Sequence, residues 1–289
     1  MPFGRENVPQ WNQEVWDRID KAVHDETQRT KIAAKFLPLF GPLTDPSTKT
    51  VPSDIIDPKT MTVDEGEVTP LVEIWVEFAL TKQQVEAEQQ SSTAVILATR
   101  AANLLSQGED LLIFQGKKAT GNPLFKSQTI RLRGQAPDPG LVDAAASNHT
   151  VNVNPVNQGP PKQYGENTFR SVSEGYSFLE GEGQYGPFAL ALHFVEYADT
   201  YAPLANTLIA PADRIKPLVP AGFYGTGTLP DSTGVLLSLG GNTVDLVVGI
   251  DATTAFTQVD GEGLYRFRVF ERFALRVKDK TGFVELAFQ

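Results

Sequence analysis

Between Pro42 and Pro70 the chain places five prolines in 29 residues (Pro42, Pro46, Pro52, Pro58 and Pro70), with only scattered apolar side chains such as Ile55, Ile56, Met61 and Val63. Each proline fixes φ and removes a backbone donor, so the stretch suits neither a helix nor a central strand. It cannot build a core of its own, and a structureless loop of this length is uncommon in a compact domain unless it has a function. The segment therefore reads as an extended arm or β-hairpin whose apolar residues are covered by something else, such as a neighbouring subunit. A plain surface loop is the alternative.

The rest of the chain is ordinary globular material. Its 289 residues allow one large or two modest domains, and 41% are hydrophobic, enough for a sizeable core. The charge sum of 25 minus 35, or −10, gives no general reason to coat a phosphate backbone. With no cysteine there is no disulfide frame, thiolate nucleophile or Cys-held metal, and His24, His149 and His193 are scattered. No metal or other cofactor is expected. The longest apolar runs, such as Phe188 to Phe194, fall far short of a membrane span, and Met1 to Gln10 is polar. These features predict a cytoplasmic protein without a membrane partner.

Hydrophobic periodicity supplies the elements. Val15, Ile19, Ala22 and Val23 recur at helical spacing, continued by Ile32 and Phe36 until Pro38 and Gly41-Pro42 stop them. Leu71 to Leu80 alternates, with Val72, Ile74, Val76 and Phe78 on one face and Glu73 and Glu77 on the other, which predicts a strand. Lys82 to Leu112 reads as one long helix with a break or kink at Gly108, and Thr129 to Arg133 as a short strand. Residues 135–165 carry five prolines and read as a surface insertion rather than a folding unit. Phe169, Val172, Tyr176 and Leu179 predict a second amphipathic helix. After it the chain is β-rich, in Phe188–Phe194, Val235–Leu239, Val244–Ile250, Ala255–Val259, Leu264–Val277 and Phe283–Phe288. Helices and strands without a βαβ rhythm make a mixed α+β chain.

Little here promises chemistry. Gly181 to Gly186 fits the G-x-G-x-x-G pattern, but Pro187 and a strand follow where a dinucleotide site needs a helix N-terminus. No nucleophile elbow, Walker loop or H-E-x-x-H is present, so the protein is expected not to be an enzyme. The strand from Leu264 is more informative. Tyr265, Phe267, Val269, Phe273, Leu275 and Val277 share a face interrupted only by Glu271, while Arg266, Arg268, Arg272, Arg276 and Lys278 lie on the other. That cationic face is either solvated or paired with carboxylates of another chain or a guest. Glu271 needs a partner, because a charge buried alone is costly.

Taken in order, several segments resemble the encapsulin shell proteins, the linocin-type family built on the tailed-phage major-capsid fold. Trp16-Asp17-Arg18-Ile19-Asp20, then Ala34-Lys35-Phe36-Leu37 and Gly41-Pro42, are similar to the family's N-terminal helix and its exit. Pro70-Leu71-Val72-Glu73-Ile74 resembles its entry from the arm, and Glu109-Asp110 to Phe114-Gln115-Gly116 the end of its spine helix. Gly186 to Leu190, Asp245 to Asp251 and Phe267 to Phe273 resemble its later strands. Order and spacing, over nearly the whole chain, carry the likeness.

The resemblance implies a peripheral domain formed by the N-terminal helical segment 1–41, residues 71–134 with the spine helix and the closing strands of 244–289. An arm at 42–70 and an axial domain at 135–243 complete the subunit. It implies assembly with itself into a hollow icosahedral shell of about 60 copies or a multiple. The shell encloses a guest enzyme, a dye-decolorising peroxidase or a ferritin-like iron oxidase, held by a short C-terminal peptide on the inner wall. That makes iron storage or oxidative-stress defence the expected roles. By the same likeness the docking groove involves Ile32, Phe36 and Leu39 with Phe273, Leu275 and Val277, and Ile55, Ile56, Met61 and Val63 form the inter-subunit arm. By position, Thr200, Tyr201, Asn206 and Thr207 are candidates to line a pore. The chain departs from many members at Ala34 and Pro38, where they carry a charged pair, which predicts a more apolar groove. The competing readings are a phage or prophage capsid protein packaging DNA, and a peptidase or bacteriocin, labels the family has also carried.

Overall fold

The computed structural model describes residues 3–57, 60–64, 66–145, 148–157, 159–203 and 208–289. Helix α1, Gln13–Thr30, starts where the Asn12 side chain accepts from the Val15 N–H at 3.1 Å, and it buries Val15, Trp16, Ile19 and Val23. Ile32 and Phe36 lie beyond its end, around a 3₁₀ turn at Ala33–Lys35. Strand β1, Leu39–Phe40, leads into the arm, which folds as two small ribbons. β2 (Thr50–Pro52) pairs with β5 (Val68–Pro70), and between them β3 (Ile55–Asp57) pairs with β4 (Thr62–Asp64).

Strand β6, Val72–Leu80, follows directly. The predicted single helix after it is three: α2 (Lys82–Glu86), α3 (Glu88–Ser91) and the spine helix α4 (Thr93–Gln115). The break falls at Ser92, in the left-handed region at φ 53°, where the buried Glu88 carboxylate accepts from the Ala94 N–H at 2.7 Å. α4 runs straight through Gly108. A Cβ there would stand 3.0 Å from Ile130 Cδ1, so this glycine serves close packing rather than a kink.

α5 (Pro123–Lys126), β7 (Arg131–Arg133), β8 (Thr150–Val153) and α6 (Glu166–Gly181) come next. They are followed by β9 (Phe188–His193), α7 (Phe194–Asp199), α8 (Pro211–Ile215), β10 (Gly222–Thr226) and β11 (Thr233–Ser238). β12 (Val244–Val259), β13 (Tyr265–Val277) and β14 (Phe283–Phe288) close the chain.

The strands form two five-stranded sheets, ordered β1-β12-β13-β6-β7 and β10-β9-β11-β14-β8. α1 and α4 cover the first and α6 packs on the second, so both sheets hide an apolar face. Two expectations change. β14, grouped by sequence with the strands before it, pairs with β11 and β8 in the second sheet, because the Asp279–Gly282 turn redirects the chain. Residues 135–165 are not all surface: Leu141 and Ala144 are fully buried, and β8 supplies the edge strand of that sheet.

Candidate assembly and docking surfaces

The end of α1 is fixed by a buried charge cluster. Lys31 Nζ donates to Glu271 Oε2 of β13 at 2.5 Å and also pairs with Glu109 of α4. The partner that Glu271 requires is thus on its own chain. Beside it, Asp110 accepts from the backbone N–H groups of Ile32 and Ala33, each at 2.9 Å, and so holds the turn that carries Ile32 to Phe36. Burial, and then the charge of Glu109, push the Asp110 carboxyl up to about 7. Glu271 is raised by the same two causes in the same order, opposed by Lys31. Burial alone would lower Lys31, but the two glutamates outweigh it and hold it well above its ordinary value.

Of the six residues expected in a docking groove, the fold exposes few. Phe36 is buried, its ring stacked on Tyr224 at 5.7 Å and tilted against Phe114 at 6.4 Å. Phe273 and Leu275 are 2% and 4% exposed; α1 and α4 cover the face they share, so they serve the core rather than offering a surface. Ile32 and Val277 are half-buried. Leu39, at 58%, stands in solvent; its neighbour Phe40, at 51% and missed by sequence reasoning, lies on the other face of the sheet, 5.0 Å beneath the Arg276 guanidinium. Both lie on β1, a two-residue strand created only by parallel pairing with Leu246 and Val247, and so distant a partner leaves no local signal.

The arm divides into a bound root and a bare tip. Val51 packs with Leu71, Val247 and Ala274, and the Ile56 N–H donates to the Lys278 carbonyl at 3.0 Å. Beyond this the apolar side chains lack cover: Ile55, Met61, Val63 and Val68 are all exposed, Met61 at 82%, and Ile56 is half-buried. The expectation that the arm cannot shield its own apolar groups therefore holds at the tip and fails at the root.

The arginine face of β13 clamps that root. Arg272 donates to the Pro46 carbonyl at 2.7 Å and to Glu73 at 2.7 Å, while Arg276 donates to the Pro52 carbonyl at 3.1 Å and forms a two-point pair with Asp245 at 2.6 and 2.7 Å. Arg133 and Arg268 also pair with Glu73. Burial works to raise the Glu73 carboxyl, but bonds from Arg272 and Arg133 outweigh it and hold it below its ordinary value. Carboxylates of its own chain thus occupy the cationic face.

On the second sheet's side, Thr200 is fully buried, its hydroxyl bonded to the Tyr197 carbonyl at 2.6 Å, so it cannot line an opening. Tyr201 is exposed, its hydroxyl 2.8 Å from that of Tyr197. Asn206 and Thr207 lie outside the described residues. Phe194, Val195, Leu208 and Ile209 nearby are exposed as well.

Comparison with known proteins gives one consistent result. The family model for an encapsulating protein for peroxidase matches residues 3–132 and 139–274. The type 1 encapsulin shell protein EncA of Myxococcus xanthus is 25% identical over 285 residues, spanning 92% of this chain and 90% of that protein. Among solved structures, the virus-like particle from Pyrococcus furiosus superposes with a TM-score of 0.63 at 16% identity, over 94% of this chain and 98% of the other. A chain from Mycobacterium phage Bobi does so with 0.58 at 16% identity, over 90% of each. The fold is the mixed α+β tailed-phage capsid fold.

Proposed function

The chain belongs to the encapsulin family of encapsulating proteins for peroxidase, and from that premise we propose that identical copies close into a hollow icosahedral shell around a guest enzyme. As a member it is a shell protein that forms a capsid-like particle, and its work is association rather than bond-making. The carrying observation is the arm, where Ile55, Met61 and Val63 at the tip and Val68 nearer the root meet water in a single copy. Fully burying such a side chain is worth about 1.5–3 kcal/mol, and a shell repeats that gain at every arm.

The domain reading is that 1–41, 71–134 and the strands of 244–277 make the peripheral part, 42–70 the arm, and the second sheet the axial part. The guest, a peroxidase or a ferritin-like iron oxidase, docks by a short peptide at Leu39, with the half-buried Ile32 and Val277 as further candidates; Phe40 lies on the opposite face of the sheet, under Arg276. Protein rather than DNA is the favoured content, because the arginines of β13 that would meet a phosphate backbone already hold Glu73, Asp245 and Asp260. The particle is placed in the cytoplasm, and no described helix is long and apolar enough to cross a membrane. Small pores at the symmetry axes, with Tyr201 near their edge, would admit ions and small substrates.

Electron microscopy of the purified chain is the test. Uniform hollow particles are expected. A chain that elutes only as monomer or dimer contradicts the shell, and particles from the native host that contain DNA and no second protein contradict the guest.

A further inference from the structure

Two phenols face each other beside β10, the edge strand of the second sheet. Tyr197 lies in α7 and Tyr201 four residues on, in the turn that continues it, so both side chains leave on the same side. Their hydroxyls are 2.8 Å apart, and their rings meet edge to face with centroids 5.1 Å apart. The chain has seven tyrosines, and this is the only Tyr–Tyr ring pair among the described residues.

The surroundings hold both rings in place. Phe223 of β10 packs on the two of them, at 4.8 Å from Tyr197 and 6.5 Å from Tyr201 between centroids, and the Lys216 ammonium lies 5.0 Å over the Tyr201 ring. Gly225, on the same strand, leaves the space: a Cβ there would stand 2.4 Å from Tyr197 Cδ1. The Thr200 hydroxyl donates to the Tyr197 carbonyl and secures the turn between the pair. Tyr201 is 43% exposed and Tyr197 half-buried, so a small oxidant in solvent reaches the pair. Burial, and then the Tyr201 hydroxyl, push the Tyr197 phenol up to about 12. At neutral pH Tyr197 therefore keeps its proton and can donate it along the bond. A phenol gives up an electron more readily when an acceptor for its proton is already in place, and here each hydroxyl can be that acceptor for the other.

We propose that Tyr197 and Tyr201 are an oxidative modification site, where hydrogen peroxide, used by a peroxidase as a one-electron oxidant of phenols, couples the two rings into an intrachain dityrosine. Each phenol loses one electron and one proton, the proton passing through the neighbouring hydroxyl to water. The two phenoxyl radicals join at the ring carbons ortho to their oxygens, and the hydrogen on each joining carbon moves to its own oxygen, which restores both phenols. The two electrons and two protons released break the O–O bond of one hydrogen peroxide and yield two waters. Because the hydroxyls already touch, rotation of the rings completes the approach, and coupling within the pair outruns collision between copies. The new bond staples the end of α7 to the turn beyond it and absorbs two oxidising equivalents. The source of the oxidant rests on the peroxidase reading above; the reactivity of the pair does not.

The guest-free chain is tested with a small photo-oxidant, ruthenium tris-bipyridyl with persulfate under light. The tryptic peptide 171–214, which holds Tyr176, Tyr185, Tyr197 and Tyr201, should lose two hydrogens, gain dityrosine fluorescence and resist fragmentation between positions 197 and 201. Tyr197→Phe and Tyr201→Phe keep the ring packing and should each abolish the product, whereas Tyr185→Phe should leave it. A product that survives the loss of either hydroxyl, or dityrosine formed only between chains, overturns the proposal. Should a variant disturb α7, the fragment map of the wild-type chain decides alone: a cross-link at any other pair of positions overturns it. Particles loaded with a peroxidase guest and given hydrogen peroxide should form the same bond. Product under light but none under peroxide removes the peroxidase as the oxidant, and no product under either sinks the pair. A chain that makes no particles or takes up no peroxidase contradicts the shell reading, while the photo-oxidant still tests Tyr197 and Tyr201.

Discussion

Lys31 Nζ sits 2.5 Å from Glu271 Oε2, across a sequence separation of 240 residues, and in doing so ties the last turn of α1 to the middle of β13. The same ammonium serves Glu109, so one cation answers two buried carboxylates. Removing it leaves both without compensation, which is far costlier than losing an exposed pair. Lys31→Met should lower unfolding stability by about 3–5 kcal/mol at pH 7.5, read from denaturant midpoints. The deficit should narrow on acidification, since protonation discharges the carboxyls. A loss under 1 kcal/mol, or one that grows toward acid, contradicts this account.

Asp110 supplies a pH dependence of definite sign. Its folded value of about 7 lies above the ordinary 3.8, so between the two the native state holds a proton that the unfolded chain has released. Stability from this group is therefore present in acid and lost as pH rises toward 7, by on the order of 4 kcal/mol at most. Asp110→Asn keeps an acceptor for the Ile32 and Ala33 N–H groups while removing the titration. Its melting temperature should vary less than wild type between pH 4.5 and pH 7.5, and an unchanged slope would acquit Asp110.

What could be foreseen, and what could not, divides along the range of the interactions. The apolar alternation of Val72 to Phe78 and the stripe of Val15, Ile19 and Val23 are local, and both became the elements they predict. The need of Glu271 for a cation was legible too, because isolation of a charge on an apolar face is visible in sequence; that Lys31 supplies it was not. Arg272 finds Glu73 199 residues away, and no periodicity encodes such a partner. The docking residues fail for a related reason. Sequence places Phe273 and Leu275 on the apolar face of β13 but does not say that helices already cover it. Phe40 escaped notice because its strand exists only through β12.

Guest docking should accordingly depend on Leu39 rather than on Phe36. Leu39→Asp removes exposed apolar surface and leaves the Phe40 ring under Arg276 in place. Particles should form at wild-type yield with guest content reduced at least fivefold, on the order of 1 kcal/mol or more of lost apolar contact per particle site. Phe36→Ala should behave differently, destabilising the chain by about 3–5 kcal/mol because it empties the space between Tyr224 and Phe114. Mass spectrometry of purified particles reads the first and thermal unfolding the second. Full guest content in the Leu39 variant removes β1 from the docking surface.

The latch at the arm's root makes the last prediction. Arg276 is 5% exposed at its side chain and joins Asp245, Asp54 and the Pro52 carbonyl, so a single guanidinium couples β12, β13 and the arm. Asp245 retains Lys278 at 2.8 Å when Arg276 is lost, which keeps that carboxylate compensated and spares the sheet. Among the described residues, Asp54 pairs with no second cation and the Pro52 carbonyl accepts from no other side chain. Arg276→Met should therefore leave the first sheet folded while freeing the β2–β5 ribbon, seen as faster amide exchange at Val51 and Ser53 with unchanged protection along β13. A tip held in the wrong place cannot reach its neighbour, so particle yield should fall even though every tip residue is intact. Normal exchange at Val51, or normal assembly despite fast exchange, would show that the root need not be latched for the tip to act.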